Sequence, residues 1–221
     1  MSNKHWIIAF IIGGCVFIAF IDGSSLDYIT KALFKITTFT ALPIVYALCF
    51  EKRSLKSILR FRLKDCRLSL FLGLSLYGLI MGLYFTIGSL FDLSKVTNLL
   101  DHNFISGSLL FLPVAFYIAF VNSFLEEFFF RGFAYLTLKN ESSERFAFWF
   151  SAISFSLYHV FLMIDMFDLT LYLTAIILLL MAGALFNLFD RKSKTLFPSW
   201  IVHAFANMGL NTIAIILLKI I

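Results

Sequence analysis

Two adjacent glutamates, Glu126 and Glu127, lie in the middle of a long apolar run, and Arg131 follows them in the string EEFFFR. A charged residue at the centre of a membrane helix costs about 2.5–3.5 kcal/mol on insertion scales, so such residues mark functional sites by default. A buried carboxylate is also a candidate general base. The string therefore predicts a functional, proton-accepting group inside a membrane.

The composition of the whole chain supports a membrane location. Of 221 residues, 61% are hydrophobic and 14% are charged, whereas soluble domains average roughly 45–50% apolar and about 25% charged residues. The predicted fold class is all-α, a polytopic membrane helical bundle that fills residues 1–221 as a single domain. The three cysteines form no CxxC pair, which argues against a disulfide framework or a cysteine zinc site. The net charge of +5 indicates orientation rather than nucleic-acid binding.

Apolar segments near the roughly 20 residues that a helical span requires occur about seven times. They are residues 6–21, 32–50, 68–91, 108–138, 146–164, 169–189 and 197–218. Lysine and arginine concentrate in the connections 51–67 and 190–196, while the connection 92–107 has a single lysine and two aspartates. Because basic loops stay in the cytoplasm, this alternation predicts a cytoplasmic N-terminus and an outside C-terminus.

His159 and His203 are the other ionisable residues well inside the apolar segments. At ~1.5 Å per helical residue, the distance from the nearest cytoplasmic charge is about 18 Å for Glu127, about 21 Å for His159 and about 14 Å for His203. Three different helices would thus bring ionisable groups to a similar depth. We expect these helices to pack together around one site.

Residues four apart share a helix face, and three such pairs occur: Glu127 with Arg131, Phe155 with His159, and His203 with Asn207. The first pair is expected to form a buried ion pair. Glu126 points about 100° away from Glu127 on an α-helix, so it is predicted to be free of an ion pair and to act as the general base.

Each of these signals also has a structural interpretation. A single membrane histidine commonly forms an interhelical hydrogen bond, and Glu127 with Arg131 could be only a structural pair. Ser199 lies four residues before His203 and could form a Ser–His dyad, although Pro198 and Ser199 at the start of a span are more typical of a helix cap. Gly78 and Gly82 form a GxxxG motif, which usually marks close packing between membrane helices.

The strings EEFFFR (126–131), FSLYH (155–159) and HAFAN (203–207) resemble the EExxxR, FxxxH and HxxxN motifs of the CPBP (Abi) family. This family includes CAAX prenyl proteases and bacterial proteins linked to bacteriocin processing or self-immunity. The resemblance runs from Glu126 to Asn207, within a family-like core of about 108–218, and the first 120 residues carry none.

The resemblance implies an intramembrane endopeptidase with the catalytic set Glu126, Glu127, Arg131, His159, His203 and Asn207. Glu126 would activate a water that His159 helps to hold. His203 and Asn207 would stabilise the oxyanion, and Glu127 with Arg131 would brace the site. A metal remains open: Zn²⁺ bound by Glu126, His159 and His203 and a metal-free glutamate mechanism are both compatible with the motifs, and HExxH is absent.

Other functions are also compatible with parts of the sequence. A bacteriocin-immunity or scaffold protein could keep the fold without catalysis, and a transporter could use buried charges as an ion or proton relay. The expected partners are the lipid bilayer and a membrane-associated peptide or protein of the CAAX, bacteriocin or signal-peptide type. The high phenylalanine, isoleucine and lysine content fits an AT-rich bacterium, so a bacterial plasma membrane is the expected location.

Overall fold

A computed structural model describes residues 3–50, 57–103, 109–163 and 167–220, and every regular element within these ranges is a helix. The helices are α1 (Asn3–Asp22), α2 (Tyr28–Cys49), α3 (Leu63–Ile87), α4 (Ser94–Asn103), α5 (Phe111–Asn140), α6 (Glu144–Leu162), α7 (Leu169–Ser193) and α8 (Phe197–Leu217). The prediction of an all-α membrane bundle is confirmed. Residues 51–56, with part of the basic connection, lie outside the described residues.

In the part of the chain that the structure describes, six helices rather than the predicted seven are long and apolar enough to cross a membrane: α1, α2, α3 with its extension to Leu90, α5, α7 and α8. The predicted span 146–164 is helical as α6, but α6 is not among the six. Its 19 residues begin with two charged residues and include three serines, a tyrosine and His159. These polar residues lower its hydropathy.

Helix α5 changes its winding three times between Phe111 and Thr137. Two α-helical stretches, Phe111–Phe116 and Ser123–Glu126, alternate with π-helical stretches at Tyr117–Asn122 and Glu127–Thr137. Glu126 is therefore the last residue of an α-helical turn, and Glu127 is the first residue of the longer π-helical stretch. π-Helical segments often occur at functional sites.

Side chains of α8 satisfy backbone carbonyls in the first half of α5. Trp200 Nε1 donates to the carbonyl of Phe120 at 3.1 Å, and Asn211 Nδ2 donates to the carbonyl of Ala115 at 2.8 Å. In an apolar environment an unsatisfied backbone group costs several kcal/mol. These bonds therefore fix α8 against the first half of α5.

Helix ends are defined by side-chain caps. Asp27 accepts from the backbone N–H of Thr30 before α2, Ser143 accepts from Phe146 before α6, and Asp168 accepts from Leu171 before α7. Hydrogen bonds from the Thr30 hydroxyl and N–H hold the pKa of Asp27 below its usual range. Such caps satisfy donors that have no partner within the helix.

Aromatic rings join the N-terminal helices to α5 and α6. Phe39 of α2 stacks on Phe129 with ring centroids 4.3 Å apart, and contacts Phe130 and Tyr158 edge-on at 5.8 and 5.5 Å. All four rings are buried. Many large apolar side chains elsewhere are exposed on the outside of the bundle, as expected for surfaces that face lipid.

Close helix approaches occur at glycines other than the GxxxG pair. A Cβ added at Gly78 or Gly82 would have no atom within 4 Å, so these residues do not mark close packing. A Cβ on Gly73 of α3 would instead lie 2.5 Å from Phe205 of α8, and one on Gly14 of α1 would lie 2.8 Å from Phe129. These two glycines let large rings approach the backbone.

Candidate active site

Glu126 meets one histidine from each of two other helices. Its side chain is 2% exposed, and Oε2 lies 3.7 Å from Nε2 of His159 on α6 and 3.7 Å from Nε2 of His203 on α8. These distances are too long for direct hydrogen bonds. The structure thus brings together three ionisable side chains that the sequence separates by up to 77 positions.

The second carboxylate, Glu127, belongs to the same cluster but faces different partners. Its Oε1 lies 2.8 Å from Nδ1 of His203, and its Oε2 lies 3.2 Å from Nε of Arg131. Both Glu127 and Arg131 are fully buried. Glu127 therefore links the arginine to the imidazole that faces Glu126.

Arg131 is held largely by aromatic rings. Its guanidinium carbon lies 4.0 Å from the ring centre of Phe155 and 5.0 Å from that of Phe186. Within the described part of the chain, the guanidinium nitrogens have no aligned hydrogen-bond acceptor. Charge proximity to Glu127 and cation–π contact, worth about 2 kcal/mol when desolvated, therefore offset its burial.

The orientation of both imidazoles is fixed by hydrogen bonds to Nδ1. His159 Nδ1 lies 2.8 Å from the carbonyl of Phe155, and His203 Nδ1 contacts the Glu127 carboxylate. A carbonyl and a carboxylate only accept hydrogen bonds, so Nδ1 of each ring carries a proton. Nε2 of each ring then faces Glu126 and can accept a hydrogen bond when the ring is neutral.

Asn207 is the predicted site residue whose described contact lies away from Glu126. Its Nδ2 donates to the carbonyl of Ile118 at 3.2 Å. This bond ties α8 to α5 in the same way as that of Asn211, one turn later. The amide is thus engaged with the α5 backbone, and its predicted contact with an oxyanion stays a prediction.

The prediction that Glu126 is free of an ion pair is wrong. Lys35 of α2 places Nζ 3.0 Å from Glu126 Oε1, and Asn122 Nδ2 donates to the same oxygen at 2.9 Å. Sequence reasoning missed Lys35 because a lysine near the start of a span is typical of the membrane interface. The contact of Asn122 could have been predicted from the sequence, because residues four apart share a helix face and Asn122 lies four residues before Glu126.

Ser199 pairs with an aspartate rather than completing a Ser–His dyad. Its hydroxyl donates to Asp190 Oδ2 at 2.7 Å and to the carbonyl of Leu196, and Asp190 Oδ1 accepts from the Ser199 N–H at 3.2 Å. Both side chains are fully buried. Asp190 of α7 thereby caps the N-terminus of α8, a role that the sequence did not indicate.

The cluster does not fit a zinc site. In the described ranges, no group of three or more His, Cys, Asp and Glu side chains is arranged to hold a metal ion. The candidate ligands Glu126, His159 and His203 do converge, but the Lys35 ammonium contacts the carboxylate of this set. A cation at that position would repel a divalent ion bound to the same group.

Comparison with known proteins relates the segment that carries this cluster to a described family. Residues 108–209 match a family model described as Type II CAAX prenyl endopeptidase Rce1-like. This segment, a little under half of the chain, carries all three motifs, and the match confirms the resemblance to the CPBP family and implies a membrane protease. Neither the curated proteins nor the solved structures include a significant match to the chain.

Proposed function

We propose that the protein is an intramembrane endopeptidase that cleaves a prenylated, CAAX-type peptide with a water activated by Glu126. The arrangement of Glu126 carries the proposal: Oε1 is held by two donors, while Oε2 faces two imidazole nitrogens at 3.7 Å. A carboxylate with one oxygen held by hydrogen bonds and the other able to accept a proton from water is a suitable general base.

The proposed reaction uses Glu126 Oε2 and the Nε2 atoms of His159 and His203 that face it. The water donates one hydrogen to Glu126 Oε2 and the other to Nε2 of His159, and its oxygen attacks the peptide carbonyl. The C–N bond then breaks, and the proton taken by Glu126 passes to the leaving amine. His203 acts in the form that carries a proton on each ring nitrogen before the reaction: its Nε2–H would donate to the oxyanion, and Glu127, which faces Nδ1, would balance the positive charge of the ring.

The family match of residues 108–209 supports a CAAX-type substrate. Such a substrate carries a lipid on a cysteine near its C-terminus, so the bilayer would deliver it to a site built from membrane helices. The His159 side chain is 16% exposed, against 2% for Glu126. We infer that the peptide approaches the cluster from the His159 side.

The substrate is tested with purified protein in vesicles and a synthetic farnesylated peptide that ends in a C-a-a-X sequence. We expect release of the C-terminal tripeptide from the farnesylated peptide but not from its unprenylated form. Glu126→Ala is the negative control and should release no tripeptide from either peptide. Equal cleavage of both peptides would contradict the substrate class, and no cleavage by the wild type would favour an immunity or scaffold role.

Metal dependence is tested in the same assay. Because the Lys35 ammonium already contacts the carboxylate, we expect full activity after dialysis against EDTA or 1,10-phenanthroline. The apo-protein should also gain nothing from added Zn²⁺. Loss of activity in chelator with recovery in Zn²⁺ would overturn the metal-free mechanism and leave the protease assignment intact.

We also propose that the N-terminus is cytoplasmic and the C-terminus outside, from the distribution of basic residues. Opposite termini require an odd number of crossings, so this topology has α6 cross the bilayer as a seventh helix beside the six that qualify by length and hydropathy. A cysteine-free variant with single cysteines returned to the 51–67 or the 92–107 connection tests this in sealed cells. External reagent should label only the second connection. External labelling of the first would reverse the orientation.

A further inference from the structure

Helix α2 lies outside the segment that matches the family, yet it provides a cation to the candidate general base. Lys35 extends from the second turn of α2 and places Nζ 3.0 Å from Glu126 Oε1. Its side chain is 14% exposed and the glutamate is 2% exposed. The pair is thus largely removed from water, where an ionic hydrogen bond is stronger than a surface one.

The two oxygens of Glu126 have different surroundings. Oε1 accepts from Lys35 and from the Asn122 amide at 2.9 Å, whereas Oε2 faces the two imidazoles. Two donors from different helices fix the rotation of the carboxylate. The result is that Oε2 points at the space between His159 and His203.

Aromatic rings position the Lys35 ammonium. Nζ lies 5.0 Å from the ring centre of Tyr158 and 5.9 Å from that of Phe39, and both rings are buried. The faces of these rings attract a cation. Lys31, one turn earlier on α2, instead donates to the backbone carbonyl of Asp22 at 2.8 Å. Of the two lysines of α2, Lys35 therefore contacts the candidate general base, whereas Lys31 contacts the end of α1.

We propose that Lys35 is a positioning residue for Glu126, an inference that rests on the proposed function. Its ammonium keeps the buried carboxylate ionised, because an isolated charge in an apolar site otherwise takes up a proton. It also orients Oε2 toward the water. Lys35 acts through Glu126 and does not touch the substrate.

The test compares Lys35→Met with Lys35→Arg, and uses Lys31→Met as the matched control, on the farnesylated peptide. Rates are normalised to folded protein measured by thermal aggregation. We expect Lys35→Met to lower kcat by about 10²-fold, the size of effect that misplacement of a catalytic group produces, with KM little changed. Lys35→Arg keeps a cation and should recover a large part of kcat, and Lys31→Met should resemble wild type.

A wild-type kcat for Lys35→Met would overturn the inference, as would equal losses in the Met and Arg variants or an equal loss in Lys31→Met. Lys35→Gln, which keeps a donor but no charge, replaces Lys35→Met if the latter does not accumulate as folded protein, and it should show the same loss of kcat. Cleavage by Glu126→Ala in this assay would instead refute the proposed function itself.

Discussion

The two halves of this chain differ in how they build the site. The family-matched segment, residues 108–209, supplies the carboxylates, the imidazoles and Arg131, which contact one another. The N-terminal helices supply packing and one ammonium. Phe39 stacks on Phe129, and Lys35 reaches Glu126. Under the proposed function, the motifs supply the reacting groups, while the unmatched half holds one of those groups in place.

This difference has an energetic reason. Each buried charge in the matched half needs a neighbouring group of opposite charge, because removal of one partner leaves the other unpaired in a low-dielectric environment. The N-terminal helices bury mainly apolar side chains such as Ile7, Ile11 and Ile18, and the loss of one leaves only a cavity. Substitutions in the two halves should consequently differ in how they change stability and cleavage.

The largest expected effect is on folding in the matched half. Glu127→Ala removes the carboxylate beside Arg131 and His203, which should cost about 3–5 kcal/mol because Arg131 is left as an unpaired buried charge. Membrane abundance and thermal aggregation should both show the loss, and cleavage should fall as well.

Arg131→Met in the Glu127→Ala background is the compensating control. It removes the stranded charge and should restore part of the thermal stability but not the cleavage, because His203 still lacks its carboxylate. If the double variant were less stable than Glu127→Ala alone, the pair would not be the reason for the loss.

A packing change in the N-terminal half should separate stability from turnover. Ile11→Ala in α1 removes a fully buried side chain and should cost roughly 2–4 kcal/mol through loss of contacts and a residual cavity. Thermal aggregation should report that loss, while kcat per folded molecule stays at the wild-type value. A fall in kcat of the folded protein would mean that α1 also shapes the site.

The sequence predicts which helices meet, because membrane charges are too costly to scatter. Glu126, His159 and His203 could be placed at one depth by counting residues from the cytoplasmic charges, and the structure joins them. The Glu127–Arg131 contact follows in the same way from their spacing. These features depend on local periodicity and on one strong energetic penalty.

The missed features depend on tertiary packing. The first π-helical stretch of α5 receives hydrogen bonds from Trp200 and Asn207 of α8, and periodicity within α5 cannot reveal these donors. Lys35 looks like an interfacial lysine until α2 is packed against α5. The close approach at Gly73 requires knowledge that Phe205 lies opposite it.

The smallest expected effect concerns the Asp190–Ser199 cap. Ser199→Ala removes one buried hydrogen bond, worth about 0.5–1.5 kcal/mol, and should lower the thermal aggregation temperature slightly. Because Ser199 contacts Asp190 rather than His203, kcat on the farnesylated peptide should remain at the wild-type value. Loss of cleavage with an unchanged thermal profile would revive the Ser–His dyad.

The most direct test of the site is the single-turnover cleavage rate of Glu126→Gln. Glutamine keeps the volume of the side chain and can still receive hydrogen bonds from Asn122 and Lys35, but it cannot take a proton from water. General-base catalysis typically contributes 10²–10⁴-fold, so a rate loss of about that size is expected in protein that is normally folded. A wild-type rate for Glu126→Gln would contradict the assignment of Glu126 as the group that activates water.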